Sequence, residues 1–259
     1  MDFSQYTLTL VEAFLLVFFR VAALVAFAPV LGDQNVPKRV KIGLALVIAG
    51  VVFPLVAIPA AELPRTILAF GVAVAREVLI GLAAGYAIQI IFAGVQTAGQ
   101  IVGFQMGFGI VNVIDPQSNL QVSIIGHFLG LLALMLFLAL NGHHAVLRIM
   151  DMSFRVVPLG QAQLTGLVWS KLLRMSGDLF AIAVKLGAPM IAILVLTKVA
   201  LGLVARTVPQ MNVFIVGFPL GIAIGLLSIG VSLPLFGLVF RHMLESGSRD
   251  IVFLVHHMH

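Results

Sequence analysis

Long apolar runs separated by short polar turns make up almost the whole chain. They cover Leu8–Leu31, Ile42–Ile58, a run that starts near Thr66, Val122–Leu140, Leu179–Val204 and Val213–Phe240. A helix needs about 20 residues to cross a hydrocarbon core of about 30 Å. The pattern therefore predicts an all-α fold of membrane-crossing helices, several of which contain proline.

The stretch from Gly94 to Gln121 departs from this pattern because it is dense in glycine and carries no basic residue. Three of its glycines recur every fourth residue and would form one smooth helical stripe, namely Gly99, Gly103 and Gly107. Asp115 ends the run, because the residue before a proline is pushed out of the helical region. Two interpretations stay open: a glycine-rich kinked helix pair inside a bundle, or a mobile constriction that plugs a pore.

Bulky and polar side chains are interleaved with these glycines. The bulky ones, Phe104, Met106 and Phe108, would seal a pore against ions. The polar ones are uncharged and suit partners inside a protein better than lipid tails, namely Gln96, Gln100, Gln105 and Asn112. We expect alanine at the three bulky positions to raise ion leak.

Glycine ladders with the same spacing occur on other segments, namely Gly81 with Gly85, Gly126 with Gly130, and Gly217 with Gly221 and Gly225. Helices in lipid associate through close packing and polar contacts rather than through a hydrophobic drive. The ladders encode more helix–helix interface than one compact bundle of this size needs. They therefore predict assembly with other apolar subunits.

Charged residues lie inside several apolar segments, where each is costly unless it is paired. Glu12 and Arg20 are too far apart along their helix to bond each other, so we expect partners on other helices. We predict interhelix or intersubunit pairs for Glu77, Lys198 and Arg206.

Loop charges give conflicting predictions of topology. The cluster Lys38, Arg39 and Lys41 predicts a cytoplasmic first loop. With single crossings, the polar connector Leu147–Ser176 and the polar tail from Arg241 would then face outward, against the same rule. We infer that some segments are kinked hairpins enclosed by protein. The histidine-rich end of the tail is open to two interpretations: it is native sequence, or it is what remains of residues added to the protein for its production.

Composition supports a polytopic membrane protein. Hydrophobic residues make up 61% and charged residues 10% of the 259 residues, and the mean hydropathy is +1.16. With no cysteine, the chain has no disulfide framework, cysteine-ligated zinc or thiol chemistry. The net charge of +5 is spread without a basic tract, so we predict no nucleic-acid partner.

Recognisable catalytic motifs are absent, and we predict no catalytic, cofactor or metal site. His143, His144 and Asp151 are the residues from which a metal site or an intramembrane enzyme would have to be built. Asp178, Lys185 and Lys198 could form a proton relay, although structural ion pairs are the favoured interpretation.

Several motifs together resemble one known family. They are Gly103–Phe108 followed by Asp115–Pro116, the turn Leu140–His144, Phe154 with Pro158–Gly160, and Arg206–Phe214 leading to Gly217–Leu220. In this order the chain resembles the FliR family of flagellar biosynthesis, which is related to the SctT (SpaR) proteins of virulence type III secretion. The resemblance covers nearly the whole chain, and the flagellar branch fits better.

The resemblance implies an export-gate subunit of the bacterial inner membrane, in the flagellar basal body, with no enzymatic activity and no cofactor. Its partners would be FliP-type and FliQ-type subunits, FlhB-type and FlhA-type export proteins, unfolded protein substrates and membrane lipid. It implies a FliP-like part over 1–146, a polar connector over 147–176 and a FliQ-like part over 177–259.

The resemblance also assigns residues. A plug loop would run from Gly103 through Asp115, with plug or pore residues Gly103, Phe104, Gln105, Met106, Gly107, Phe108, Gly109, Asn112, Asp115 and Pro116. Interface residues would be Glu77, Lys198, Arg206, Pro209, Gln210, Asn212, Phe214, Gly217 and Pro219. The alternatives are a secondary transporter of a small solute or proton and, last, an intramembrane enzyme.

Overall fold

The computed structural model describes residues 3–29, 32, 36–58, 64, 66–109, 123–208, 210 and 212–258. Its helices are α1 (Phe3–Phe27), α2 (Lys38–Val52), a short 3-10 helix (Phe53–Leu55), α3 (Ile67–Met106), α4 (Ile124–Ala139), α5 (Gly142–Val156), α6 (Gly166–Thr207) and α7 (Val213–His256). No strand occurs in these ranges, which confirms the all-α prediction.

Four helices are long and apolar enough to cross a membrane: α1, α3, α6 and α7. The pair α4 and α5, bent by 66° around Asn141, would make a fifth if it formed one broken span. Asn141 has a φ of 56°, a left-handed conformation that asparagine tolerates better than most residues. With 40, 42 and 44 residues, α3, α6 and α7 hold about twice what one crossing needs.

The helix boundaries correct several sequence-based predictions. α1 ends at Phe27, before the predicted Leu31. The second segment ends at Val52, and Pro54 lies in the 3-10 helix that follows, because a proline nitrogen cannot continue the α-helical hydrogen bonds. α3 starts close to the predicted Thr66, whose hydroxyl accepts a hydrogen bond from the Ala69 N–H at 3.3 Å.

The connector and the tail, which are polar in sequence, are largely helical. The connector consists of α5 from Leu147 onward, an irregular segment from Val157 to Thr165, and the start of α6. The tail after Arg241 continues α7 as far as His256. Three apolar side chains of this tail, those of Ile251, Leu254 and Val255, are buried, which explains why a segment that looks polar in sequence folds against the protein.

The chain divides into two compact units, each discontinuous in sequence. Unit 1 contains 1–90, 137–176 and 244–259, and unit 2 contains 91–136 and 177–243. This division by packing differs from the linear division at residues 147–176, which concerns resemblance to other subunits and stays a prediction.

Close packing at glycines holds helices together in both units, as the ladders predicted. In unit 1 a Cβ on Gly81 would lie 2.4 Å from the Arg20 carbonyl oxygen, so α3 lies directly against α1. In unit 2 a Cβ on Gly99 would lie 2.5 Å from the Cα of Gly126, so α3 and α4 meet backbone to backbone. No larger side chain fits at these crossings without a backbone shift.

Candidate functional site

The described part of the predicted plug is Gly103–Gly109, which we call the glycine break. Gly103–Met106 form the last turn of α3, so the helix continues through the start of the predicted loop and the chain leaves it only at Gly107. The predicted plug residues Asn112, Asp115 and Pro116 lie outside the described residues.

Gly107 ends α3 in a hydrogen-bonded C-cap. Its φ is 101°, a conformation that side chains rarely adopt. Its N–H donates to the Phe104 carbonyl at 3.1 Å, and the Phe108 N–H donates to the Gly103 carbonyl at 3.1 Å. This pair of bonds is the Schellman motif, which satisfies carbonyls that would otherwise lack partners at a helix end. The helix therefore ends here because of glycine, upstream of the proline that the sequence suggested.

Bulky residues of the glycine break face different surroundings. Met106 is 1% exposed and packs on the glycine ladder of α7, where a Cβ on Gly225 would lie 2.5 Å from its Cγ. Phe104 is 71% exposed, because residues two apart on a helix point to different sides. Phe108 is half-buried. Of the three predicted sealing residues, Phe104 presents the most free surface and Met106 is held inside unit 2.

The glycine stripe of α3 has two roles. Gly99 and Gly103 face α4, where their missing side chains leave room for Gly126 and for Ser123 with Ile125. Gly107 faces α7 instead, and a Cβ there would lie 2.6 Å from the Phe218 ring. The close approach predicted for this stripe is confirmed, although Gly107 belongs to the turn and not to the helix.

A cavity of about 320 Å³ lies beside the glycine break within unit 2. Its lining comes from α3, α6 and α7 and is mostly apolar, with Gln105, Thr197 and Lys198 as polar members. Lys198 Nζ donates a hydrogen bond to Gln105 Oε1. The predicted interface residue Lys198 and the predicted pore residue Gln105 are thus brought together on one cavity wall.

A buried ion pair joins α1 and α3 within unit 1. Arg20 Nε donates to Glu77 Oε2 at 2.5 Å, and the two side chains are 1% and 0% exposed. Arg20 thereby finds its partner on another helix, as the sequence predicted. No ion pair involving Glu12 occurs among the residues that the structure describes.

Backbone groups complete the hydrogen bonds of this pair. Arg20 Nη1 donates to the Ser153 carbonyl at 2.8 Å and Nη2 to the Val157 carbonyl at 3.1 Å. Glu77 Oε1 accepts the Gly160 N–H at 2.7 Å. A buried charge pair is tolerated when its remaining hydrogen-bonding groups are also satisfied. Sequence reasoning missed this connection because backbone acceptors leave no pattern in a sequence.

The described interface candidates of the α6–α7 turn are accessible. Arg206, Gln210, Asn212 and Pro219 are exposed, and Gly217 is half-buried. Pro209 lies outside the described residues, as does the side chain of Phe214. Glu77 differs from this set because both of its carboxylate oxygens are bonded within the chain.

The histidine pair of the Leu140–His144 turn lies on the exposed side of α5. The ring centroids of His143 and His144 are 4.2 Å apart, so the two rings lie side by side although adjacent helical residues usually point in different directions. Within the described ranges, no group of three or more histidine, aspartate or glutamate side chains could hold a metal ion.

Long apolar helices, glycine-packed crossings and one buried ion pair define the chain as an all-α polytopic membrane protein. Residues 11–247 match the family model for bacterial export proteins, family 1, and the chain belongs to that family.

Curated relatives carry the name flagellar biosynthetic protein FliR. The Bacillus subtilis (strain 168) protein is 38% identical over 240 residues, which are 90% of this chain and 91% of the relative. The Escherichia coli (strain K12) protein is 36% identical over 225 residues, 86% of this chain and 85% of the relative. The Caulobacter vibrioides protein is 31% identical, with coverage of 89% and 93%.

Proposed function

We propose that this protein is a subunit of the flagellar type III protein export gate in the bacterial inner membrane. It would form part of the channel through which unfolded flagellar proteins leave the cytoplasm. Membership of the bacterial export proteins is the observation that carries this proposal. The names of the relatives, flagellar biosynthetic proteins, support the flagellar branch.

Exposed apolar surface supports assembly with other subunits. In the membrane-length apolar stretch of α3, 67% of the residues are buried within the chain, whereas in those of α6 and α7 28% are buried. On both helices there are glycines where an added side chain would meet no neighbouring helix among the described residues, Gly202 on α6 and Gly237 on α7. Open glycine positions on apolar helices fit close approach by neighbouring helices.

The proposed partners follow from the family resemblance. FliP-type and FliQ-type subunits would pack against this chain, whose 1–146 part resembles the former and 177–259 part the latter, and FlhB-type and FlhA-type proteins would complete the apparatus. The glycine break would start the plug, with Phe104 contributing to the seal in the closed state. No catalytic step is assigned to the chain.

Native mass spectrometry of the tagged chain, purified with its neighbouring membrane proteins co-expressed, tests this proposal. We expect a large defined complex that holds a single copy of this chain. A stable monomer or homodimer that binds no other subunit would contradict it.

The second candidate function is a secondary transporter. It rests on Lys198, which lies on the apolar helix α6 and lines a cavity. The purified chain alone would then move a small solute or protons across liposomes, and Lys198→Met would abolish the transport. Absence of transport by the isolated chain, together with assembly into the complex, would reject this candidate.

A further inference from the structure

Lys198 carries a positive charge inside the apolar part of α6. Between Lys185 and Arg206 the helix has about 20 residues, enough for one crossing, and Lys198 is the one charged residue among them. It lies eight residues before Arg206, about 12 Å along the helix axis. An ammonium group at that depth is costly unless an anion pairs with it.

Among the described residues, no carboxylate compensates this charge. Lys198 Nζ donates to Gln105 Oε1, an uncharged amide oxygen. Throughout the part of the chain that the structure describes, Lys198 forms no ion pair with a carboxylate. The contrast with Arg20 is direct, because Arg20 meets a carboxylate and two backbone carbonyls.

The cavity beside Lys198 provides space for an anionic side chain. At about 320 Å³ it can hold a side chain, and its walls are apolar apart from Gln105, Thr197 and Lys198. In such surroundings a carboxylate–ammonium pair is screened far less than in water. Gln105 can rotate its amide to donate an N–H to the same carboxylate, since the group is both donor and acceptor.

The rim of the cavity fits a helix better than a lipid headgroup. Gly202, Gly217 and Gly221 line it, and Gly202 has open space where a Cβ would be. Large apolar side chains are exposed nearby, with Val199 56% and Leu203 63% exposed. A lipid phosphate lies at the membrane surface, about 15 Å from the centre of a 30 Å core. For a crossing made by residues 186–205, the position of Lys198 therefore favours an acidic residue carried on an apolar helix over a lipid phosphate.

We propose that the Lys198 cavity receives an aspartate or glutamate side chain from a transmembrane helix of a neighbouring subunit. The carboxylate pairs with Lys198 Nζ and accepts an N–H from Gln105. This inference rests on the proposed function, because it requires a membrane complex. It deepens that function by naming the chemistry of one partner contact next to the glycine break.

Zero-length cross-linking of the purified membrane complex tests the contact. A membrane-permeant carbodiimide activates a carboxylate, and the neighbouring lysine amine displaces the urea to form an amide, with net loss of water between the two side chains. We expect mass spectrometry to find a peptide in which Lys198 is joined to an aspartate or glutamate of another subunit. Lys171 and Asp250, 2.6 Å apart within this chain, are the internal positive control.

Two variants separate the contribution of the Lys198 charge from that of its aliphatic side chain. Lys198→Met removes the charge but keeps an unbranched side chain, and we expect the yield of complex to fall at least about tenfold, because the partner's carboxylate is left unpaired in the membrane. Lys198→Arg should keep the yield within about twofold and lose the cross-link, since a guanidinium is not acylated under these conditions.

Other outcomes would overturn the proposal in distinguishable ways. A Lys171–Asp250 cross-link without a Lys198 cross-link, in an intact complex, rejects the contact and leaves the gate-subunit function standing. A cross-link from Lys198 to a carboxylate of its own chain rejects it as well. An anionic lipid retained by the wild type and lost in Lys198→Met, with no protein cross-link, assigns the cavity to lipid. If the chain purifies without partners, both the contact and the gate-subunit function fail.

Discussion

The two units of the chain differ in how they pair a cationic side chain on an apolar helix. Unit 1 buries an ion pair between α1 and α3 and satisfies it with backbone groups from Ser153 to Gly160. In unit 2, the cation Lys198 is exposed and meets a neutral amide, and packing relies on glycine crossings and Met106. Unit 1 therefore satisfies its buried ion pair within the chain, whereas unit 2 leaves polar and apolar groups that suit a partner.

Removing one member of the buried pair should have the largest effect on stability. Glu77→Gln leaves Arg20 charged with no anion, which costs about 3–5 kcal/mol in comparable buried pairs. We expect the protein level in membranes and the unfolding temperature of the purified complex to drop sharply. A double variant, Arg20→Met with Glu77→Leu, should recover part of the loss because no unpaired charge remains.

The exposed pair Asp151–Arg155 is the matched control for this experiment. It joins positions four apart on α5 at 3.0 Å, with side chains 39% and 74% exposed. Asp151→Asn should change the unfolding free energy by less than about 0.5 kcal/mol. Equal losses for Glu77→Gln and Asp151→Asn would contradict the central role given to the buried pair.

The turn that follows α7 should be the next most sensitive place. Met258 is 1% exposed, and its carbonyl accepts the Gln163 N–H at 2.8 Å. Met258→Ala should cost about 2 kcal/mol or more, read as a lower unfolding temperature. His256, which is exposed, gives the control His256→Ala with little change. An unaffected Met258→Ala would mean that this end, beyond the 11–247 family match, adds nothing to unit 1.

Alanine at a glycine crossing of unit 2 should cause a smaller loss of stability than the changes above. Gly99→Ala places a Cβ against the Gly126 backbone, and overpacking of this kind costs about 1–3 kcal/mol. The methyl group of Gly237→Ala on α7 would meet no neighbouring helix among the described residues, so this change should be neutral or slightly stabilising, because alanine favours helix. Reduced assembly of Gly237→Ala, with a stable chain, would instead locate a partner helix at that position.

Substitution of Phe104 should affect the sealing of the channel without affecting the stability of the protein. Because it is 71% exposed, Phe104→Ala should leave the unfolding temperature nearly unchanged while it raises ion leak in cells. Met106→Ala should lower stability as well, since Met106 is buried against the α7 glycines. Leak that stays at the wild-type level in Phe104→Ala, within an assembled complex, would remove Phe104 from the seal.

Apolar runs in the sequence were sufficient to predict the class of the protein and most of its helices. Lipid forces backbone groups to bond within a helix, so composition and run length determine this level of structure. The spacing of Gly81, Gly99 and Gly126 also predicted close crossings correctly, because positions on one helical face follow from the 3.6-residue repeat. The family motifs then assigned the chain to a known group.

Tertiary structure alone decided which of these features meet. It selected Glu77 as the partner of Arg20 and backbone carbonyls as the remaining acceptors, choices that depend on three-dimensional proximity across 57 and more residues. It ended α3 at Gly107 through a C-cap and buried the polar-looking tail through a few apolar side chains. The sequence by itself determined which segments are helices, in which the backbone groups hydrogen-bond within the segment. Only the folded chain decided which charges and side chains pair with each other, because those pairs join segments far apart in sequence.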